Sequence, residues 1–191
     1  MAAGVEGRKK PMPSNIEIKA RIADRPRTQS LVAAISDTLP ITLQQRDTFF
    51  RCVNGRLKLR ETGAGEGELI FYHRANTTAA TQSDYEIAAV AHPQSLKQVL
   101  QRALGATQVV EKTRVLYLVD QTRVHLDSVV GLGDFLELEV VLRPNQSPAE
   151  GHAIAADLMR RLEIRDAELL ATAYADMLEN SAGMEPAAGG G

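Results

Sequence analysis

Asn15-Ile16-Glu17-Ile18-Lys19-Ala20-Arg21-Ile22 alternates without a break. Asn15, Glu17, Lys19 and Arg21 fall on one side, and Ile16, Ile18, Ala20 and Ile22 on the other. A period of two is the mark of a β-strand with one polar and one apolar face. What sets this strand apart is that most of its polar face carries full charge. The pattern returns after the Asn54-Gly55 hairpin signal, where Arg56, Lys58 and Arg60 alternate with Leu57 and Leu59. It returns again as Arg123, His125 and Asp127 against Val124 and Leu126, and as Glu137 and Glu139 against Leu136 and Leu138. Arg74, Asp84 and Glu86, then Lys112 and Arg114, add further charged positions on the segments between.

Working outward, the alternation and turn signals predict strands at 15–22, 41–53, 56–62, 68–74, 83–90, 108–119, 122–130 and 134–142. Helical spacing predicts helices at 28–39 (Leu31, Ile35, Leu39), 93–104, 148–162 and 166–178. Tight connections make the sheet mostly antiparallel and the class α+β. On any single strand, a charged face is ordinary solvated surface. Eight consecutive strands sharing one apolar face hide that face and their edges best by curling into a closed barrel. With helices on the outside, the charged face becomes the lumen. A lumen of Arg and Lys with a few carboxylates suits a polyanion and a divalent cation. Glu137 and Glu139, two positions apart on one strand face, are the natural oxygen ligands.

Composition bounds the rest. The chain has 191 residues, 44% of them apolar and 24% charged, as expected of one globular domain. Its 22 Lys and Arg against 24 Asp and Glu argue against a dedicated nucleic-acid or anionic-membrane binder. Cys52 is the one cysteine, which excludes an internal disulfide and a cysteine zinc site and points to a reducing, cytoplasmic setting. No apolar run approaches the roughly 18 residues of a membrane span. The ends, 1–13 and 181–191, read as disordered tails around one domain at 14–180.

The ordered set of motifs resembles the CYTH superfamily, the triphosphate tunnel metalloenzymes. It begins with Asn15-Ile16-Glu17-Ile18-Lys19, similar to the E-x-E-x-K signature, and continues through Gln45-Arg46-Asp47-Thr48-Phe49-Phe50 and Gly55-Arg56-Leu57-Lys58-Leu59-Arg60. Leu69-Ile70-Phe71-Tyr72, Ser83-Asp84-Tyr85-Glu86 and Arg123-Val124-His125-Leu126-Asp127 follow, and Leu132-Gly133-Asp134-Phe135-Leu136-Glu137-Leu138-Glu139 ends it. The resemblance implies an eight-stranded antiparallel tunnel with helices packed outside. It implies that Glu17, Glu137 and Glu139 hold Mg²⁺ or Mn²⁺. Lys19, Lys58, Arg60, Arg74, Lys112, Arg114 and Arg123 would grip phosphates, and Glu86 and Asp127 are candidate proton acceptors. The partner implied is a small triphosphate, with neither nucleic acid nor membrane, and the protein a monomer or homodimer.

Members of the superfamily hydrolyse inorganic triphosphate, thiamine triphosphate, nucleoside triphosphates or RNA 5′-triphosphate ends, or cyclise ATP. Three positions depart from the pattern. Asn15 replaces the first signature Glu. Phe49 stands where the thiamine enzymes carry Tyr, and His73 falls where they and the bacterial cyclases carry Lys, unless Arg74 supplies that charge. The leading expectation is therefore hydrolysis of a small triphosphate, most simply inorganic tripolyphosphate. An adenylyl cyclase is the alternative, and a noncatalytic polyphosphate-binding module the third. The Gly63–Gly67 stretch lacks the Lys-Ser/Thr of a phosphate loop and reads as a hairpin loop. His125 is open between phosphate contact and structural role, and Tyr174 reads as packing.

Overall fold

The structure, a computed structural model, describes residues 14–63, 65–74 and 81–182. The expected tails at 1–13 and 181–191 lie outside these residues, except that Ser181 and Ala182 are described and end a helix. Eight strands are formed: β1 (Ser14–Arg21), β2 (Ile41–Phe50), β3 (Arg56–Thr62), β4 (Gly67–Arg74), β5 (Thr81–Val90), β6 (Ala106–Val119), β7 (Thr122–Val129) and β8 (Gly133–Val141). They close into an antiparallel barrel in the order β1-β5-β4-β3-β2-β6-β7-β8, with β8 returning to β1. The α+β barrel expected from the alternation is present.

Helices α1 (Arg25–Ile35), α2 (Pro93–Leu104) and α3 (Pro148–Arg161) lie on the outside, where the apolar strand faces need cover. The main core is formed there: Ile16, Ile18, Val124, Leu126, Leu136 and Leu138 pack against Val32 of α1 and Ala155 and Leu158 of α3. The helices begin and end on local chemistry. The Asp24 side chain accepts from Arg27 N at 2.9 Å and Pro26 sits in the first turn of α1. Ser147 and Glu150 form a reciprocal capping box on α3. Gly105 ends α2 with φ of 74°, a backbone conformation only glycine adopts cheaply.

Three boundaries differ from expectation. α1 starts and ends three to four residues earlier than the Leu31–Ile35–Leu39 spacing implied, because Asp24-Arg25-Pro26 is the stronger start signal. Leu39 consequently leaves the helix and is 88% exposed. β2 stops at Phe50, with Val53 fully exposed in the turn. The expected helix over 166–178 is interrupted. A single 3₁₀ turn (Asp166–Glu168) is followed by Leu169 bridging Ala20 and Leu170 N donating to Lys19 O at 2.9 Å. Pairing with the end of β1 overrides helical propensity here, and the chain re-enters a helix only at α4 (Tyr174–Ala182).

That interruption places α4 across one end of the barrel. Phe49, Val110, Val129 and Phe135, all on the inward-facing phase of their strands, form a second core with Tyr174 and Ala175. Arg56 locks the helix down through paired hydrogen bonds to Asp176, 2.9 and 2.6 Å. The tunnel is therefore blind at the α4 end.

Candidate active site

The lumen is a cavity of about 360 Å³ whose lining alternates residue by residue along the strands. It takes Asn15, Glu17 and Lys19 from β1; Asp47 and Phe49 from β2; Lys58 and Arg60 from β3; Lys112 and Arg114 from β6; Arg123 and His125 from β7; and Glu137 and Glu139 from β8. Glu17, Lys19, Lys58, Arg60, Lys112, Arg114, Arg123, Glu137 and Glu139 are thus brought to one surface, whereas Glu86 and Asp127 are not among its lining.

Register sets who meets whom. Glu17 stands opposite Glu139, and Lys19 opposite Glu137. On the other side of β8, Arg123 faces Glu139 and His125 faces Glu137. Lys19 Nζ lies 2.8 Å from Glu137, and Arg123 Nε 2.9 Å from Glu139. Arg114 is bidentate to Asp127, at 2.7 and 2.5 Å, and also hydrogen-bonds Glu137. Asp47, 2% exposed, accepts from Lys58 at 2.9 Å and from two nitrogens of Arg60 at 2.8 Å each.

These contacts fix ionisation. Burial pushes the Asp47 carboxyl up, but Arg60 and Lys58 together outweigh it and hold it well below the usual carboxylate range. Burial likewise opposes the charged form at Glu137, where Lys19 and Arg114 reverse it, and at Glu139, where Arg123 and Arg114 do, His125 adding to them only once protonated. Both stay ionised at neutral pH. Lys112 is pushed down to about 7 by burial and by Arg114 beside it. His125 is pushed down to about 4 by burial and by Arg114, so its imidazole is neutral and its 3.6 Å approach to Glu139 is not an ion pair.

His125, Glu137 and Glu139 offer ligand atoms all within 4.8 Å of one another. His125 Nδ1 is buried without a hydrogen-bond partner. A neutral imidazole and two ionised carboxylates are in the protonation states a divalent cation requires. Glu17 lines the same cavity, and two carboxylates directly opposite each other, as Glu17 and Glu139 are, repel unless a cation lies between them. His125, Glu137 and Glu139 could therefore coordinate a divalent cation, with Glu17 lining the same cavity. Asn15 is buried beside Glu17. With its amide nitrogen turned inward it donates to Glu17 Oε1 at 3.2 Å and to Ser83 O at 3.1 Å, steadying the carboxylate.

Two candidate acceptors change standing. Glu86 is exposed and lies on the outer face, since the inward positions of β5 are Ser83, Tyr85 and Ile87. Asp127 is fully buried. Burial opposes its ionisation, Arg114 and Lys112 outweigh that, and Arg114, Lys112 and the Tyr174 hydroxyl crowd its two oxygens. Asp127 thus stands as an anchor for these cations and is not among the residues that line the cavity. His73 also faces outward, edge-on to Phe71. Arg74 occupies the inward register position opposite Ser83, while its side chain lies outside the described part of the structure. Sequence reasoning assigned no role to Asp47, whose polar neighbours on both strand faces hid the period.

The CYTH domain profile matches residues 14–174. The chain belongs to the CYTH superfamily, which is related to triphosphatases and class IV adenylyl cyclases. No curated protein sequence matches it. Among solved structures, the PH1012 protein of Pyrococcus horikoshii OT3 is similar at a TM-score of 0.77 and 21% identity, over 85% of this chain and 98% of that one. A candidate adenylate cyclase of Vibrio parahaemolyticus aligns at 0.72 and 18%, over 89% and 99%. HpAC1 of Hippeastrum, a candidate adenylyl cyclase with a dominant triphosphatase activity, aligns at 0.60 and 15%, over 91% and 98%. At such identities the likeness carries the fold. Among the described residues no helix is long and apolar enough to cross a membrane.

Proposed function

We propose that this CYTH protein hydrolyses a small triphosphate, most simply inorganic tripolyphosphate, in the blind tunnel with Mg²⁺ or Mn²⁺. The observation that carries the reading is the lumen itself: six basic side chains and a His–Glu–Glu cluster line one cavity. Lys19, Lys58, Arg60, Lys112, Arg114 and Arg123 would take the phosphate oxygens, with Arg74 at the same register face. These cations are held in place by Asp47, Asp127, Glu137 and Glu139. Phosphoryl transfer demands mainly such neutralisation and an in-line water. His125, Glu137 and Glu139, with Glu17 adjacent, would hold the metal, which supplies Lewis-acid polarisation of phosphate oxygens and an activated water. Water adds to the terminal phosphorus, the anhydride P–O bond breaks, and orthophosphate and pyrophosphate result. Asp127 anchors Arg114 and Lys112 in this scheme, and Glu86 has no part.

One observation favours a second reading, cyclisation of ATP. Ile70, Tyr72, Tyr85 and Ile87 line the β4–β5 wall, and Leu39 and Ile41 are exposed where β2 begins, an apolar surface that a nucleobase could use. The Hippeastrum relative shows that a candidate cyclase on this fold can act mainly as a triphosphatase. A panel of tripolyphosphate, ATP, GTP and thiamine triphosphate, scored for orthophosphate and cyclic nucleotide, separates the readings. Orthophosphate from tripolyphosphate supports hydrolysis, and cyclic AMP without orthophosphate reverses the ranking. Tight binding with neither product would make the protein a polyphosphate-binding module.

A further inference from the structure

The floor of the tunnel is aromatic. Lys19 Nζ lies 3.8 Å from the centroid of the Tyr174 ring, and Lys112 Nζ 5.3 Å from the same centroid. Lys58 Nζ lies 5.7 Å from the Phe49 and Tyr72 rings. The Tyr174 hydroxyl donates to Asp127 Oδ2 at 3.1 Å, and Asp127 in turn holds Arg114 and stands 3.5 Å from Lys112. One residue on the plug helix thus touches two lumen lysines directly and an arginine through a shared carboxylate.

We propose that Tyr174 is the positioning residue of the anion site: its ring sets the Lys19 and Lys112 ammonium groups at the blind end, and its hydroxyl fixes Asp127 and through it Arg114. The inference rests on reading the tunnel as a polyanion site. A ring face attracts a desolvated ammonium without neutralising it. Tyr174 is itself buried and stacked on Phe135, centroids 4.9 Å apart, so the platform cannot swing away. Burial, with Glu137 and Asp127 nearby, pushes its phenol well above the ordinary value, which keeps the hydroxyl protonated and donating.

The test uses the full chain and inorganic tripolyphosphate in the presence of EDTA, with Kd read by calorimetry. Tyr174→Leu removes ring and hydroxyl and is expected to weaken binding at least about tenfold. Tyr174→Phe restores the ring and loses only the Asp127 hydrogen bond, so binding falls about threefold. Asp176→Asn breaks the Arg56 latch without touching either lysine. It is expected to lower the Tm while Kd stays within about threefold of wild type. In lysine-labelled protein, two ε-methylene resonances shifted upfield by the ring should move to ordinary positions in Tyr174→Leu. If Tyr174→Leu binds like wild type, if the Phe variant is no better than Leu, or if Asp176→Asn is equally damaging, the proposal is wrong and the polyanion reading stands. If wild type does not bind tripolyphosphate, the polyanion reading falls and takes this proposal with it.

Discussion

Replacing Asp47 by Asn removes one negative charge from the most heavily used carboxylate on the β2–β3 side of the tunnel. Asp47 is the hydrogen-bonded acid partner of both Lys58 and Arg60, through three contacts of 2.8–2.9 Å. The amide keeps the shape and one acceptor but leaves two desolvated cations facing each other. Breaking a buried ion pair from one side costs about 3–5 kcal/mol. With one acceptor retained, about 3 kcal/mol is the appropriate end of that range. For a domain of this size, 1 kcal/mol moves Tm by about 2–4 °C, so Asp47→Asn should melt about 6–12 °C lower. Tripolyphosphate then supplies the oxygens that the carboxylate supplied. The ligand-induced rise in Tm should therefore be larger in the variant than in wild type, measured by thermal denaturation with and without tripolyphosphate. A variant that melts within about 2 °C of wild type would refute the claim that Asp47 neutralises buried cations, since that lies below the smallest cost expected. A ligand shift no larger than wild type's would refute the claim that those cations are the phosphate grip.

Three further outcomes follow from the same geometry. Lys112 at about 7 is neutral at pH 8 in the free protein, and an anion bound beside it restores the proton. Calorimetry of tripolyphosphate binding at pH 8 in buffers of different ionisation enthalpy should show more proton uptake for wild type than for Lys112→Met. Equal uptake would contradict the assignment. Asp47, Asp127, Glu137 and Glu139 all titrate below their ordinary values. Their contribution to stability is fully present above the unfolded carboxylate range near pH 4 and is lost as pH falls through the lowered values. Acid unfolding through these carboxylates should accordingly set in below about pH 4, after an earlier loss between about pH 6.5 and 4 from His125, which stays neutral in the fold while the unfolded imidazole takes up a proton. Stability that is flat from about pH 7 to 4.5 would not fit. At Gly151, α3 approaches β1 so closely that a Cβ would lie 2.6 Å from Ile16 Cγ1 and from Leu142 Cδ2. Gly151→Val should cost about 1–3 kcal/mol by overpacking, visible as a Tm several degrees lower; an unchanged Tm would show that α3 can shift freely.

Much of the barrel was legible because period-two alternation survives in most strands and their apolar face is continuous. The basic residues of β1, β3, β6 and β7 reached the lumen for the same reason. The rule that charge marks the inner face failed on β5. There Glu86 and Ala88 are exposed, so this stretch of outer face is open to solvent and carries charge at no cost, while Tyr85 and Ile87 turn inward. His125 could not be recognised as a candidate ligand from β7 alone; its place opposite Glu137 is a matter of β7–β8 register. Asp47 was hidden because Arg46, on the opposite face of β2, pairs with Glu111 and makes both faces look polar. Tyr174 packs in the second core as its sequence suggests, but nothing local in Leu169-Leu170-Ala171 announces the pairing with β1 that breaks the helix and brings α4 across the tunnel end.

The central claim is that the acid cluster of β8 supports metal-dependent cleavage of a triphosphate. Its most direct test is orthophosphate release from tripolyphosphate with Mg²⁺ or Mn²⁺, comparing wild type with Glu139→Gln. The amide preserves the shape of Glu139 and removes the charge that pairs with Arg123 and would bind the metal. The account expects turnover by wild type that depends on added metal, and a loss of at least about a hundredfold in the variant. Undiminished release by Glu139→Gln, or release by wild type that is indifferent to EDTA, would contradict it.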